Sequence, residues 1–390
     1  MAVDTIPEVH VTGLGAVSCL GTGVDAFWAG LTSAAPRPTP VAGLTDRVPD
    51  ILAYQVPDGP ELSPRAGEPH GQVTRLALHA ARQAMADAGL SEDETADMAV
   101  VIGTAAGESG ERDGLSSPAA GWAPVFRLAS EVGGELGAFG TNINVSNACA
   151  ASGYALSVAM DIVRRGEADT VLVGGAEALS WAPLASFSRL GANDPELCRP
   201  FDTDRRGTVF GEGAAMLVVQ SARAAAGRPS YGRLRGTGWS CDAHHLTAPD
   251  PAGDQPLRAA REALREAADS AEDIGCVVPH GTGTEYNDVL ETRVLREVLG
   301  EHLERVPLFS LKAFIGHTAG AAAAFAVVAA ALMCRHALVP ANIAPQRQDP
   351  ACPVWLPRTG PVRLERPRIL LNAYAFGGSN VSLVFGGETR

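Results

Sequence analysis

Lysine is all but missing from this 390-residue chain: of 31 Lys and Arg residues only Lys312 is lysine, which leaves 30 arginines. A chain that uses arginine nearly everywhere has kept a compact ammonium on a flexible stem at this one position, a task a planar guanidinium fork does not perform. The formal charge of −13 and the lack of any basic run argue against a nucleic-acid binder, although a local arginine patch for an acidic partner stays compatible with it. The seven cysteines are scattered, odd in number and form no C-x-x-C pair, which speaks against a disulfide framework or a structural zinc site. Free thiols in a reducing, cytoplasmic setting fit better. Residues 1–10 carry Asp4 and lack a charged-then-apolar signal pattern. No apolar run reaches the roughly 18 residues that suggest a membrane span. The nearest, 319–334, is alanine-rich, contains Gly320 and stops at Arg335. A dinucleotide fingerprint is also missing, since Gly13-x-Gly15 lacks the third glycine and the downstream acid.

With 46% hydrophobic and 19% charged residues, the chain reads as a well-buried globular protein of two domains or one large duplicated unit. Apolar, β-branched runs alternate with helical patterns, which predicts an α/β layered architecture. Expected strands are 9–17, 98–104, 142–145, 170–174 and 215–219, then 233–239, 276–279, 308–311, 369–374 and 381–385. Expected helices include 73–88, 149–165, 255–268 and 319–335. The two sets of strands suggest two similar halves, 1–228 and 229–390, joined near 222–232. Pro- and Gly-rich stretches at 33–71 and 105–124 read as surface excursions.

Three segments carry chemistry. Cys149, in Val145-Ser146-Asn147-Ala148-Cys149-Ala150-Ala151-Ser152, follows an expected strand and opens an expected helix. The positive helix end is expected to lower the thiol pKa and favour a nucleophilic thiolate, against the ordinary reading of a buried structural cysteine. His280 begins the turn His280-Gly281-Thr282-Gly283-Thr284, whose glycines let the backbone fold tightly around the imidazole. Downstream, Asp288 and Glu291 lie at helical spacing and can orient a cation such as Lys312, or be a capping residue and a solvated carboxylate. His317 follows Gly316 at an expected helix start, where an imidazole stays neutral and donates to an oxygen gaining negative charge. The turn Phe376-Gly377-Gly378 between two strands can bring a backbone N–H to an oxyanion, or be a plain hairpin. His244 and His245 are adjacent, and neighbouring side chains seldom point the same way, so they are read as surface or packing residues and no metal site is expected.

In this order the segments resemble the β-ketoacyl-acyl-carrier-protein synthases, the condensing enzymes of fatty-acid and polyketide assembly. The resemblance runs nearly end to end. It covers Val11-Thr12-Gly13-Leu14-Gly15, Asn147-Ala148-Cys149, Gly174-Gly175-Ala176-Glu177, Cys198-Arg199-Pro200-Phe201-Asp202 and Gly211-Glu212-Gly213-Ala214, then the His280, Lys312/His317 and Phe376-Gly377-Gly378 segments. It implies a thiolase-like fold of duplicated βαβαβαββ halves in a five-layered αβαβα sandwich. It also implies that Cys149 accepts an acyl chain from the phosphopantetheine of an acyl carrier protein, and that His280 and His317 hold the malonyl thioester as it loses CO₂. In the same reading Lys312 maintains the electrostatics, through Glu291, and Phe376 gates the nucleophile and shares an oxyanion hole with Cys149. No bound cofactor or metal is implied. Implied partners are the carrier protein and either a second copy or a homologous chain-length-factor-like subunit, with no nucleic acid and no membrane. Asn147, and stretches 40–75 and 105–140 that look short for the family, lean toward a specialised type II polyketide system. Arg205 and Arg206 are candidate carrier-docking residues, or solvated loop charges. Two other readings compete: a chain-length-factor-like subunit without catalysis, and an acyltransferase of the same fold that releases no CO₂.

Overall fold

The computed structural model describes residues 7–33, 35–41, 51–59, 62–63, 70–109, 125–343 and 347–387. The stretches thought short, 40–75 and 105–140, lie partly outside them.

Two sheets of matching topology carry the architecture. In the N-terminal half, β1 (Val9–Ser18), β2 (Ala99–Gly103), β3 (Asn142–Val145), β4 (Thr170–Glu177) and β5 (Gly213–Ser221) lie in the order β1-β5-β4-β2-β3. In the C-terminal half, β6 (Gly232–Cys241), β7 (Cys276–Val278), β8 (Arg368–Tyr374) and β9 (Ser379–Gly386) lie in the order β6-β9-β8-β7. Both halves run antiparallel across the first two pairings and parallel thereafter. β1 and β6 join them by a short antiparallel pairing, Val9↔Leu234 to Val11↔Gly232.

The segment 308–311, expected as a strand, is not one. Among the described residues it makes a single parallel bridge, Val277↔Leu308, and the residue before it makes another, Pro307↔Trp355. Pro307 has no N–H to give to a ladder, and the chain turns at Leu311 into the one-turn helix Lys312–Ile315. Even so, Val277 N–H reaches Pro307 O at 3.0 Å and Phe309 N–H reaches Val277 O at 2.9 Å. The segment thus sits beside β7 as β3 sits beside β2.

Helices fill three layers, and α1 (Val24–Ser33) packs against β1. α2 (Gln72–Ala88) and α3 (Leu128–Leu136) cover the outer face of the N-terminal sheet. α4 (Ala151–Arg164) and α8 (Ala322–His336) pack against each other between the two sheets, and α6 (Asp254–Ala267) with α7 (Glu285–Leu299) covers the far side of the C-terminal sheet. This is the five-layered αβαβα sandwich. Apolar residues run without a break through β4 and β5 because both of their faces are covered. α8 is apolar all round for the same reason. Every residue from Ala322 to Met333 is buried, against β4 and β5 on one side and β8 and β9 on the other. A helix here passes for a membrane span by length and apolarity alone, yet 83% of it is buried within the protein. Its alanines cost no side-chain entropy and let the two sheets approach closely. α5 (Trp181–Arg189) lies outside these layers and reaches the site.

The end of β2 meets the first turn of α4 so closely that a Cβ on Gly103 would lie 2.3 Å from Ser152 N and 2.5 Å from Ala151 C. Backbone cannot give way as a flexible side chain can. Gly103→Ala is expected to lower the unfolding free energy by about 1–3 kcal/mol, read by chemical denaturation. It should also slow alkylation of Cys149, which sits just ahead of that turn.

Candidate active site

Cys149 does not open α4 itself. It lies in a single 3-10 turn, Ala148–Ala150, between β3 and α4. Ala148 adopts φ 46°, a left-handed conformation costly for a residue with a Cβ, so the turn before the sulfur stores backbone strain. The thiol is buried, and the backbone N–H groups of Cys149 and Phe376 both point at Sγ. The expectation of a lowered pKa is overturned. Burial pushes the thiol up to about 11; the Lys312 ammonium and the two amides pull down, and Glu177 pushes further up. Desolvation outweighs the helix end, so the resting group is a thiol.

His280 follows β7 directly. Its turn is clamped from α7: Glu291 accepts from His280 N–H at 2.7 Å and from Gly281 N–H at 2.8 Å. Asp288 accepts from Thr282, Gly283 and Phe201 N–H at 3.1, 3.2 and 2.7 Å. Asn372 on β8 donates to Glu291 at 3.1 Å and accepts from Ser382 on β9 at 2.8 Å. The hydrogen bonds of both carboxylates thus go to backbone amides and side-chain amides rather than to the Lys312 ammonium. Burial pushes both carboxyl pKa values up, and the amides offset part of that rise. Glu291 still favours the ammonium through its charge.

The Lys312 ammonium donates to His280 O and lies 3.4 Å from His280 Nδ1. An ammonium can only donate, so Nδ1 is the acceptor nitrogen and the neutral ring carries its proton on Nε2. Burial holds the His280 pKa well below the usual imidazole range, with Lys312 and then His317 adding to it. His317 is held low by burial and then by Lys312. Its backbone is pinned to the segment before β5, with His317 N–H on Val209 O at 2.8 Å and Gly211 N–H on His317 O at 3.1 Å. Its Nδ1 is buried with no hydrogen-bond partner among the described residues. The two rings meet edge to face with centroids 5.4 Å apart.

Cys149, His280, His317 and Phe376 line one cavity of about 210 Å³, together with Thr208, Thr282 and Tyr374. A second, apolar cavity of about 190 Å³ lies on the other side of Cys149 and Phe376. Glu177 stands on its wall, accepting from Ala105, Ala106 and Gly320 N–H at 2.7, 3.0 and 3.0 Å, with burial pushing it up to about 7. Gly377 and Gly378 carry the turn behind Phe376 at φ 85° and 84°, where only glycine is unstrained.

Of the two docking candidates, Arg205 is half-buried, with its side chain only 5% exposed and spent on structure. It donates to Asp349 at 2.6 Å, to Asp202 O at 2.8 Å and to Thr284 O at 3.3 Å. Arg206 is 56% exposed. His244 and His245 are exposed, and His245 Nδ1 accepts from Thr247 and Ala248 N–H, which stiffens its loop. Sequence reasoning missed Asn372 and Tyr374, which carry no motif apart from their place before Phe376-Gly377-Gly378. It also missed Phe187, for which no local signal exists.

A buried thiol, two imidazoles held below their usual pKa range and a buried ammonium thus come together around one cavity of a thiolase-like fold. Residues 7–225 match the family model "Beta-ketoacyl synthase, N-terminal domain", and residues 231–345 match "Beta-ketoacyl synthase, C-terminal domain". The chain belongs to the β-ketoacyl synthase family and is a condensing enzyme of the acyltransferase class. It is 31% identical to nodulation protein E of Rhizobium leguminosarum bv. trifolii, over 97% of this chain and 98% of that one. It is 32% identical to the 3-oxoacyl-[acyl-carrier-protein] synthase 2 of Synechocystis sp., over 97% of each. Among solved structures, the ishigamide ketosynthase/chain length factor superposes with a TM-score of 0.91 at 33% identity, over 99% of this chain and 100% of that one.

Alkylation of Cys149, followed on its own peptide because Cys241 is exposed, is expected to accelerate from neutral pH toward about 11 as the thiolate forms. Removing the neighbouring positive charge disfavours the thiolate. Lys312→Met should therefore shift the profile to higher pH and slow alkylation at any fixed neutral pH.

Proposed function

We propose that the protein catalyses decarboxylative Claisen condensation between an acyl group held on Cys149 and malonyl-acyl carrier protein, in type II polyketide or specialised fatty-acid biosynthesis. The observation that carries this reading is the convergence of Cys149 Sγ and two neutral imidazoles on one cavity. Acyl transfer alone needs one base; a second imidazole has a use when an enolate must be held.

In the first half-reaction the Cys149 sulfur adds to the carbonyl of an acyl-phosphopantetheine thioester. The carbonyl oxygen takes the negative charge under the N–H groups of Cys149 and Phe376, the old C–S bond breaks, and the thiol proton leaves with the pantetheine sulfur. In the second, malonyl thioester occupies the 210 Å³ cavity with its carbonyl oxygen on His280 and His317. The bond to the carboxylate breaks, CO₂ departs, and the electron pair enters an enolate whose oxygen the neutral imidazoles stabilise by donation. That carbanion attacks the acyl-Cys149 carbonyl, the new C–C bond forms, the C–S bond to Cys149 breaks, and the departing thiolate takes a proton from water. Lys312 fixes the His280 tautomer, and Glu291 and Asp288 hold the His280 turn in place. No bound cofactor is needed, because loss of CO₂ drives the bond.

Two surface features support the partners in this reading. A groove lined by Arg206, Arg293 and Tyr286 shares Leu190, Ala192 and Thr284 with the catalytic cavity, and so offers a carrier-borne pantetheine arm a path inward. Among the described residues β3 pairs with β2 alone and is partly exposed, an edge suited to a second copy or a homologous chain-length-factor-like subunit.

Incubation with acyl-carrier protein, then malonyl-carrier protein, tests the scheme by intact mass and CO₂ release. The wild type should gain an acyl group and release CO₂, and Cys149→Ala should gain none. His280→Ala and His317→Ala should still be acylated but lose CO₂ release by roughly 10²–10³-fold, as expected when one oxyanion donor is removed. Acylation without CO₂ in the wild type would instead make the protein an acyltransferase. No adduct at all, with a homologous subunit supplied, would favour the chain-length-factor-like reading.

A further inference from the structure

Two cavities meet at Cys149, and they differ in charge. Cys149, Phe187 and Phe376 line both, with the two rings stacked at 4.8 Å between centroids. His280 and His317 line the outer cavity, and the Lys312 ammonium behind His280 lowers both imidazole pKa values by its charge. Asp242 also lines it, its carboxylate accepting from Asn380 Nδ2 at 2.6 Å and from Asp250 N–H at 3.1 Å. The inner cavity is walled mostly by alanine, leucine, proline and phenylalanine, and Glu177 is the only charged residue on it among the described residues. Glu177 ends β4, is 4% exposed and makes no ion pair among the described residues. Besides the three backbone N–H groups already named, its carboxylate accepts only from Thr104 Oγ1, at 3.4 Å. Its charge reaches Sγ, where it opposes the thiolate that Lys312 favours. The sulfur thus stands between a cation on the outer side and a carboxylate on the inner.

In the reading above, the two substrates are thioesters of the same carrier and differ in one charge: the acyl group is neutral, and malonyl carries a carboxylate. Transfer of malonyl to Cys149 balances as acyl transfer does. A new C–S bond forms, the old one breaks, and the thiol proton leaves with the pantetheine sulfur. Thioester chemistry alone therefore does not keep malonyl off the thiol. We propose that Glu177 is a specificity-determining residue whose carboxylate keeps carboxylated acyl groups off Cys149, so that the thiol loads a neutral chain while malonyl stays on its carrier. The inference rests on the acyl-Cys149 reading, in which malonyl thioester occupies the outer cavity and the inner one is left for the chain. A carboxylate carried inward on Sγ loses its water in an apolar space and faces a like charge that the surroundings screen weakly. A neutral chain meets neither cost.

The test compares butanoyl and succinyl groups, which differ by a methyl against a carboxylate. Their rates of transfer from carrier protein to Cys149 are followed by intact mass in wild type, Glu177→Gln and Glu177→Asp, with melting temperatures verifying that each variant is folded. Loss of the charge also favours the thiolate and speeds both transfers, so the readout is the succinyl-to-butanoyl ratio. Glu177→Gln should raise that ratio roughly tenfold, and Glu177→Asp, which keeps the charge, should hold it near the wild-type value. Burial pushes Glu177 up to about 7, so it gains its charge as pH rises through neutrality, and the wild-type ratio should fall across that range. Cys149, His280, His317, Asp242 and Lys312, the other ionisable groups around the two cavities, remain in Glu177→Gln, where the fall should vanish. A ratio unchanged in Glu177→Gln, or raised as much by Glu177→Asp, overturns the proposal, since desolvation alone excludes succinyl from all three proteins alike. If Glu177→Gln does not fold, the wild-type pH series decides. A fall that persists in Lys312→Met supports the proposal; a flat ratio, or a fall lost in Lys312→Met, overturns it. A wild type that accepts no butanoyl group overturns the condensing reading and this proposal with it. One that accepts butanoyl but shows the same ratio in Glu177→Gln overturns this proposal alone.

Discussion

The buried ammonium of Lys312 is the constraint around which the site is organised. A cation in a desolvated position must be answered, and the answer here is distributed: the carbonyl oxygen and Nδ1 of His280 face it directly, while the charge of Glu291 acts from behind the turn. That arrangement fixes the tautomer of His280, adds to the burial that keeps both imidazoles uncharged, and is the largest influence pulling the Cys149 thiol toward ionisation. A guanidinium in its place would present a broad, planar fork to a pocket shaped around a point charge. The absence of any other lysine from the sequence makes this exception informative.

Support for that cluster comes from both sheets. β7 and β8 end beneath the His280 turn, and Asn372 links Glu291 to Ser382 on β9. β3 delivers Cys149, and β4 contributes Glu177, whose carboxylate ties the loop after β2 to the turn before α8. Cys149 belongs to the N-terminal half and the two imidazoles to the C-terminal half. The packing of α4 against α8 between the two sheets sets the distance between them.

Burial raises the pKa of the Cys149 thiol, yet the proposed chemistry needs its sulfur as a nucleophile. In the proposed reaction the two are compatible, because the backbone N–H groups that point at Sγ would also receive the charge of a thioester oxygen, and because the attacked group is activated. Burial that raises the thiol pKa also strengthens every hydrogen bond offered to the transition state. The apolar surroundings that disfavour a resting thiolate are the same that keep water from an acyl-enzyme and an enolate.

Most of the regular structure was legible because local patterns carry it: continuous β-branched runs for strands covered on both faces, and a 3.6-residue period with glycine stops for α2. The exception at 308–311 looks like a strand by composition, but Pro307 and the turn into Lys312–Ile315 leave it with isolated bridges. Within the site, the reactive types and their small neighbours stood out in the sequence: Cys149, His280, Lys312, His317 and the Phe376 turn. What the sequence by itself determined was this inventory and the order of the elements that deliver it. Tertiary structure alone decided the rest: that the thiol is raised rather than lowered, that Asp288 and Glu291 bind amides, that Arg205 is structural, and that Phe187 faces Phe376. Desolvation and stacking depend on which distant segments close over a group, and no local pattern records that.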